Sequence, residues 1–212
     1  MPVQKQPDEN GLSLSGEKAI LEAAEILFAD KGFSAVSMSA IARLANTSKP
    51  NIYHHFKNKN DLYLAIMKTA VERTSELLDK LEAANGTFRQ RLSDFAAGQL
   101  NNILAHKRST QLILREALSG NSQPGREISR HAVVKVFSRL VAMVQQGQQN
   151  DEFRCDIDPA LAAFMIVSAN MFFFQANPVM QQIPETRFND DTATYNNGVM
   201  DIFFNGVLNR EG

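Results

Sequence analysis

The stretch SMSAIARLANTSKPNIYHHF, residues 37–56, decides how this sequence is interpreted. Its pattern predicts two short helices joined by a tight turn, with Ser37 as the N-cap of the first helix and Pro50 in the first turn of the second. Asn46 lies where such a turn needs a residue that tolerates unusual backbone angles. The pattern is therefore typical of a helix-turn-helix, whose second helix fits the major groove of DNA.

The charge around this stretch is one-sided. No Asp or Glu falls between Gly32 and Asn60, although the 212-residue chain as a whole has a formal net charge of only −1. The same interval contains four cations, Arg43, Lys49, Lys57 and Lys59. Phosphate backbones bind compact patches of this kind, so the sequence predicts local binding of double-stranded DNA.

The residue types in the patch match the chemistry of DNA contacts. Lys49 can reach guanine O6 and N7, and Pro50 offers an apolar face to a thymine methyl group. Any one of these residues is more often solvated surface, so the prediction depends on their clustering within one pair of short helices. The predicted DNA-contacting residues are Ser37, Ser39, Lys49, Pro50, Asn51, Tyr53, His54, Lys57 and Lys59.

Almost every other segment has the periodicity of a helix, which predicts an all-α fold. Residues 1–14 are polar and are predicted to be a disordered arm. The first helix is expected from Ser15 to Gly32, and a long fourth helix from Asn58 to Asn85. Further helices are expected at about 88–106, 108–119, 124–147, 158–176 and 190–209.

Residues 20–65, ILEAAEILFADKGFSAVSMSAIARLANTSKPNIYHHFKNKNDLYLA, resemble the N-terminal domain of TetR-family transcriptional regulators. The residues that carry the resemblance are Leu27, Phe28, Gly32, Phe33, Ser37, Ile41, Ala42, Ser48, Ile52, Tyr53, Phe56, Lys59 and Leu62. Asn46 and Pro50 stand where the family usually has glycine, so the DNA sequence that is recognised can differ.

The resemblance implies an N-terminal three-helix DNA-binding domain at 15–60 and a C-terminal helical ligand-binding and dimerisation domain at 61–212. It also maps six residues onto positions that contact DNA in the family: Ser37, Lys49, Asn51, Tyr53, His54 and Lys59. Tyr53 and Lys59 would be phosphate contacts, whereas Lys49, Pro50 and Ser39 would face bases.

The resemblance specifies little about the effector site in the C-terminal half, so its residues are interpreted directly. A pocket among the predicted helices would be apolar with few polar groups, which favours a small, mainly apolar effector. Side chains of these types more often fill a core or lie on the surface. The candidate ligand-binding residues are Phe95, Gln111, Arg115, Phe137 and Asn170.

The last two predicted helices are apolar on more than one face and therefore need a second partner. A symmetric four-helix interface in a homodimer would provide it. The candidate interface residues are Ala162, Ile166, Ala169, Phe173, Met200, Phe203, Phe204 and Val207. The rival interpretation is a monomer that buries both helices against its own core.

The composition of the chain limits which disulfides and membrane-spanning segments it can form. Cys155 is the only cysteine, so no intramolecular disulfide is possible. The longest apolar run, 160–174, is interrupted by Ser168 and Asn170 and is short for a bilayer. We therefore expect a soluble cytoplasmic protein without a membrane partner, metal or cofactor.

These features together predict a ligand-responsive DNA-binding transcriptional regulator, with a repressor preferred and an activator of the same fold as the alternative. An enzyme is disfavoured because His54 and His55 are adjacent and point about 100° apart on a helix, which makes a poor metal pair. No nucleophile elbow or His-Glu-x-x-His motif occurs in the sequence. A helical protein-binding adaptor is the third possibility.

Overall fold

The computed structural model describes residues 9–118, 126–188 and 191–207, and it describes side chains within 16–116, 131–188 and 191–205. These residues form an all-α fold, as predicted. The helices are α1 (Glu9–Lys31), α2 (Met38–Leu44), α3 (Lys49–His55), α4 (Lys59–Ala83), α5 (Phe88–Ala105), α6 (Lys107–Leu118), α7 (Arg126–Gln149), α8 (Pro159–Met180) and α9 (Thr192–Val207).

The chain divides into two compact units. The first, the N-terminal unit, combines residues 1–70 with 108–129, and the second, the C-terminal unit, combines residues 71–107 with 130–212, as far as they are described. The predicted domains are each one continuous segment, divided after residue 60. Each compact unit instead combines two separate segments of the chain. The reason is that α6 returns to the N-terminal unit, where Leu112 is 2% exposed in the core.

The core of the N-terminal unit follows the predicted stripe on α1. Ile20, Ala23, Ala24 and Phe28 are buried, as their spacing of three and four residues requires for one helix face. The Phe28, Phe33 and Tyr63 rings meet with centroids 5.2–5.6 Å apart. This aromatic cluster joins α1 to the first turns of α4.

Several predicted helix ends are confirmed by the capping contacts. Ser37 accepts a hydrogen bond from the Ala40 backbone N–H, and Asp158 accepts one from the Ala160 backbone N–H. Asn58 accepts from the Asp61 backbone N–H, so it caps α4 as expected. One boundary was wrong, because α1 begins at Glu9 and not at Ser15. Residues 9–14 of the predicted arm are therefore helical, and residues 1–8 lie outside the described residues.

The core of the C-terminal unit is built where α5 contacts both α8 and α9. α8 extends to Met180, four residues beyond its predicted end, and includes Pro178 in its last turn. The apolar cluster here is continuous and contains Leu92, Phe95, Ala96, Met143, Phe153, Ala162, Ala163, Ile166, Met200, Phe203 and Phe204 among its buried residues.

All eight predicted dimer-interface residues belong to this unit, and six of them are buried in it. Ala162, Ile166, Phe173, Met200, Phe203 and Phe204 are each 1–6% exposed. Because these side chains already pack against their own chain, they have little surface left to contact a partner. Ala169 is partly buried, and the side chain of Val207 lies outside those that the structure describes.

Gly147 is required by the close approach of a buried ring. A Cβ at this position would lie 2.2 Å from the Phe153 ring, which is fully buried. We expect Gly147→Ala to lower the free energy of unfolding by about 1–3 kcal/mol, because the core must shift to accept the methyl group. Urea unfolding checks this. Gly16→Ala is the control, because its Cβ would have no neighbour closer than 4.0 Å. Equal stabilities of the two variants would contradict the packing argument.

Tyr195 provides a second test of the same unit. Its hydroxyl donates a 2.7 Å hydrogen bond to the Ala169 carbonyl, and burial raises the pKa of Tyr195 from its ordinary value near 10 to about 12. The unfolded chain therefore loses this proton first, so stability should fall as the pH rises from about 10 to about 12. Tyr195→Phe should remove that part of the pH dependence in thermal melts. Tyr53→Phe, at an exposed tyrosine, should leave it in place.

Among the described helices, one, Pro159–Met180, is long and apolar enough to cross a membrane by length and composition. Its buried face nevertheless carries Asn170, whose Nδ2 donates to the Ala96 carbonyl at 2.9 Å and to Gln99 Oε1 at 3.0 Å. These contacts to α5 identify α8 as a core helix of the C-terminal unit.

Candidate nucleic-acid interface

The turn between α2 and α3 has the backbone that the sequence predicts. Asn46 adopts a left-handed conformation with φ 50°, and the Thr47 N–H donates to the Ala42 carbonyl at 2.9 Å. Ile41 on α2 and Ile52 on α3 are fully buried, so they hold the two helices at a fixed angle against α1. The arrangement is a helix-turn-helix with α3 as the recognition helix.

The outer face of α3 presents the predicted contact residues to solvent. Lys49, Pro50, Tyr53 and His54 are exposed, with Tyr53 at 51%. Ser48 caps the helix by accepting from the Asn51 backbone N–H at 3.2 Å. A lysine, a proline face, a phenol and an imidazole are thus available on one short helix that has no acid in its own sequence.

Asn51 is positioned by a contact that the sequence analysis did not include. Its Nδ2 donates to Thr47 Oγ1 at 2.9 Å, and the side chain is half-buried. One amide N–H is therefore used within the motif, while the amide as a whole is held in place at the start of α3. Thr47 lies before the N-cap Ser48, outside α3, so the helical spacing rule does not reveal this contact in the sequence.

The preceding helix adds two predicted residues and two further ones. Ser37 and Ser39 are both exposed at the start of α2. Arg43 and Leu44 are exposed at its end, with Leu44 at 49%. Arg43 extends the cationic surface, and Leu44 is a large apolar side chain on an otherwise polar surface.

Lys57 and Lys59 differ although they are two residues apart. The Lys57 side chain is exposed, and its backbone N–H donates to Asp61 Oδ2 at 3.0 Å. Lys59 Nζ donates to the carbonyl oxygens of Phe33 and Val36, both at 2.9 Å, and lies 4.4 Å from the centroid of the Phe33 ring. The Lys57 side chain is thus accessible from solvent, whereas Lys59 uses two of its N–H groups within the N-terminal unit.

Two family models match the chain in register with these elements. Residues 20–66 match the model of bacterial regulatory proteins of the tetR family, and residues 89–200 match the tetracyclin repressor-like C-terminal domain. The chain belongs to the TetR family. It is accordingly a ligand-responsive DNA-binding transcriptional regulator, and the predicted family and fold are confirmed.

One named relative and two solved structures cover most of the chain. It is 26% identical over 159 residues to the uncharacterized HTH-type transcriptional regulator YhgD of Bacillus subtilis, which is 74% of this chain and 81% of YhgD. The fatty acid degradation regulator FadR from Bacillus halodurans has the same fold, with a TM-score of 0.72, 18% identity and coverage of 89% and 98%. AibR in complex with isovaleryl coenzyme A and operator DNA has a TM-score of 0.71 and 21% identity, with coverage of 89% of this chain and 98% of AibR.

The candidate effector residues of this TetR-family chain fall into both compact units. Gln111 and Arg115 are exposed on α6 in the N-terminal unit, where Arg115 Nη1 donates to the Phe28 carbonyl at 3.4 Å. Phe95 and Asn170 are buried in the C-terminal unit, and Phe137 packs partly buried against the same core. Of the five, Phe95, Phe137 and Asn170 therefore remain candidates within the C-terminal unit.

An exposed apolar stripe runs along the side of α8 opposite its buried residues. Leu161, Phe164, Met165 and Phe172 are 53–71% exposed, and Val179 extends the stripe at 59%. At 100° per residue, all five lie within a sector of about 100°. Ile202 on α9 is 78% exposed. TetR-family regulators act as dimers, and this stripe is the large apolar surface that the described part of α8 leaves uncovered.

Proposed function

We propose that this protein is a repressor that binds a near-palindromic operator as a homodimer and releases it when a small effector binds the C-terminal unit. The observation that carries the proposal is the helix-turn-helix with Lys49, Pro50, Tyr53 and His54 exposed on α3. A short helix that presents such side chains fits the major groove, and the lack of acids on it avoids repulsion from the phosphates.

The dimer is proposed to form through the exposed stripe on α8 together with α9. A contiguous row of large apolar side chains is unfavourable in water, and a second copy of the same stripe is self-complementary about a twofold axis. Pairing two recognition helices explains how one small motif reaches useful affinity. This replaces the predicted interface residues of α8 by those on its opposite face.

The effector is proposed to carry a neutral acyl group, such as that of an acyl thioester. The names of FadR and AibR link that fold to fatty acid degradation and to isovaleryl coenzyme A. In this chain the buried polar residues within the described part are Gln99, Ser109, Thr110, Asn170 and Asn196, all uncharged. A neutral carbonyl suits such surroundings better than a carboxylate, whose burial without a cation is costly.

Release would work by a shift between two states. α4 runs from Lys59 to Ala83, so residues of both compact units belong to one continuous helix. An effector changes operator affinity only if it binds the DNA-incompetent state better than the DNA-competent one. A difference of about tenfold to a hundredfold between the two affinities corresponds to the usual range of such coupling.

We further propose that the protein acts in the cytoplasm and has no enzymatic activity. Among the residues that the structure describes, no three metal-binding side chains come together. The His54 and His55 rings meet edge to face, at 79° with centroids 5.2 Å apart, at the end of α3. An activator of the same fold is the alternative, and transcription from an operator-bearing template distinguishes the two.

The proposal is tested by selecting bound duplexes from a random pool with the purified full chain. Recovery of a two-half-site sequence supports the dimeric operator reader, and octanoyl coenzyme A should then lower its affinity. Failure to enrich any sequence at low salt would contradict DNA binding. Enrichment of single half-sites by a monomer would contradict the dimer.

A further inference from the structure

Three side-chain amides are buried where α5, α8 and α9 pack together. Gln99 on α5, Asn170 on α8 and Asn196 on α9 are 6%, 1% and 7% exposed. Tyr195, next to Asn196, donates its hydroxyl hydrogen to the carbonyl of Ala169, which is next to Asn170. The three amides are thus buried on α5 and on the two helices that contact it, and we call them the amide layer.

Along their helices, the three amides have neighbours in two groups of apolar residues. The small apolar cluster consists of Leu100, Phe173 and Tyr195, with Leu104 and Val199 packed against it. The other apolar residues of these helices join the continuous core of the C-terminal unit. Along its own helix, each amide lies between a residue of the core and one of the small cluster: Ala96 and Leu100 flank Gln99, Ile166 and Phe173 flank Asn170, and Tyr195 and Met200 flank Asn196.

Two members of the layer satisfy each other, and the third does not. Asn170 Nδ2 donates to Gln99 Oε1 and to the Ala96 carbonyl. Asn196 Oδ1 is buried, and no hydrogen-bond donor of the described residues reaches it. An unpaired buried acceptor destabilises the folded chain, so a core selected only for stability would place an apolar side chain there.

We propose that Asn196 accepts a hydrogen bond from a secondary amide of the effector, with apolar parts of the effector on either side. This inference rests on the proposed effector response, because it places the effector's polar group in the amide layer. A secondary amide supplies the N–H that Oδ1 lacks. The pantetheine arm of acyl coenzyme A compounds contains groups of this class.

The uncharged character of the layer also limits the effector. Among the described residues, no side chain that is buried as a whole carries a charge, although the Nε atom of Arg91 is buried without a hydrogen-bond acceptor. The rival cation is Arg91, half-buried on α5 with its guanidinium 4.9 Å from the centroid of the Phe88 ring. An anionic head group would be attracted to the Arg91 guanidinium, whereas a neutral amide would not.

Three probes of twelve carbons separate these possibilities: N-hexylhexanamide, hexyl hexanoate and dodecanoate. The amide and the ester differ by one N–H in place of an oxygen. We expect calorimetry on the full chain to show that the amide binds about tenfold more tightly than the ester. Dodecanoate should bind no more tightly than the ester. Equal affinities of amide and ester, tighter binding of dodecanoate, or binding of none of the three would overturn the inference.

Asn196→Leu isolates the residue, because leucine has a similar size and no polar atoms. The variant should bind the amide about tenfold more weakly and the ester as before, and its melting temperature should not fall. Asn197→Leu, at the exposed neighbour, should keep the preference for the amide. A preference that survives Asn196→Leu would mean that Oδ1 only holds a buried water. Should the variant not fold, the comparison of amide and ester on the native chain still decides.

Operator binding separates this inference from the proposed function. If octanoyl coenzyme A releases the operator while amide and ester bind equally, the effector response stands and the role of Asn196 fails. If the amide binds through Asn196 but no effector changes operator affinity, the amide site stands and the regulatory proposal fails.

Discussion

Phe172→Asp should convert the dimer into a monomer and lower operator affinity by about 10²–10⁴-fold, the loss expected when two linked reading heads become independent. Phe172 is 71% exposed in the middle of the apolar stripe on α8. In a symmetric interface this position occurs twice, so the substitution would place two carboxylates in a region without a partner for them. Sedimentation measures the mass, and titration of a fluorescent operator measures the affinity.

Val134→Asp is the matched control for this experiment. Val134 is 56% exposed on α7 and lies outside the stripe on α8. It introduces the same charge into the same unit, so it should leave both the mass and the operator affinity unchanged. A Phe172→Asp protein with twice the monomer mass would contradict the proposed interface. A monomer that keeps full operator affinity would contradict the requirement for two helix-turn-helix motifs.

The DNA-binding motif could be predicted in detail because its determinants are local. A left-handed Asn46, a capping Ser48 and Pro50 in the first turn of α3 each act within a few residues of the chain. The caps of α2 and α8 follow from the same short-range chemistry. Such features are visible in a sequence because the partners of each hydrogen bond are close neighbours along the chain.

The face of α8 that remains exposed could not be predicted in the same way. Both sides of this helix are apolar, so periodicity alone did not distinguish Ile166 and Phe173, which are buried, from Phe164 and Phe172, which are exposed. The distinction depends on α5, whose Ala96 and Gln99 bind Asn170 from more than 70 residues away. Contacts over such separations in sequence set which face a helix buries.

The contacts of Lys59 are a further case, because its two acceptors lie 26 and 23 residues earlier in the chain. The resemblance to the TetR family implies that Lys59 contacts phosphate. The structure instead shows its ammonium donating to the carbonyls of Phe33 and Val36, at the turn that precedes Ser37. Lys59 thereby ties the start of α4 to the start of α2.

Lys59→Met should therefore destabilise the N-terminal unit without changing the number of phosphate contacts. The variant keeps the length of the side chain but removes two charge-assisted hydrogen bonds and the contact with the Phe33 ring, which together should contribute about 2 kcal/mol at this half-exposed position. Urea unfolding measures the loss. Operator affinity should fall because α2 is held less firmly, yet the slope of log affinity against log salt should not change.

Lys57→Met, two residues away, should have the opposite pair of effects on stability and on the salt slope. Its side chain is exposed, so stability should stay within about 0.5 kcal/mol of the native chain, while the salt slope should fall by about one. The two lysines thus separate a supporting cation from a phosphate-binding cation by two independent measurements. If Lys59→Met lowers the salt slope and leaves the free energy of unfolding unchanged, Lys59 contacts phosphate and does not support the fold. Because the hydrogen bonds to Phe33 and Val36 already use two of its three N–H groups, at most one remains for a phosphate oxygen.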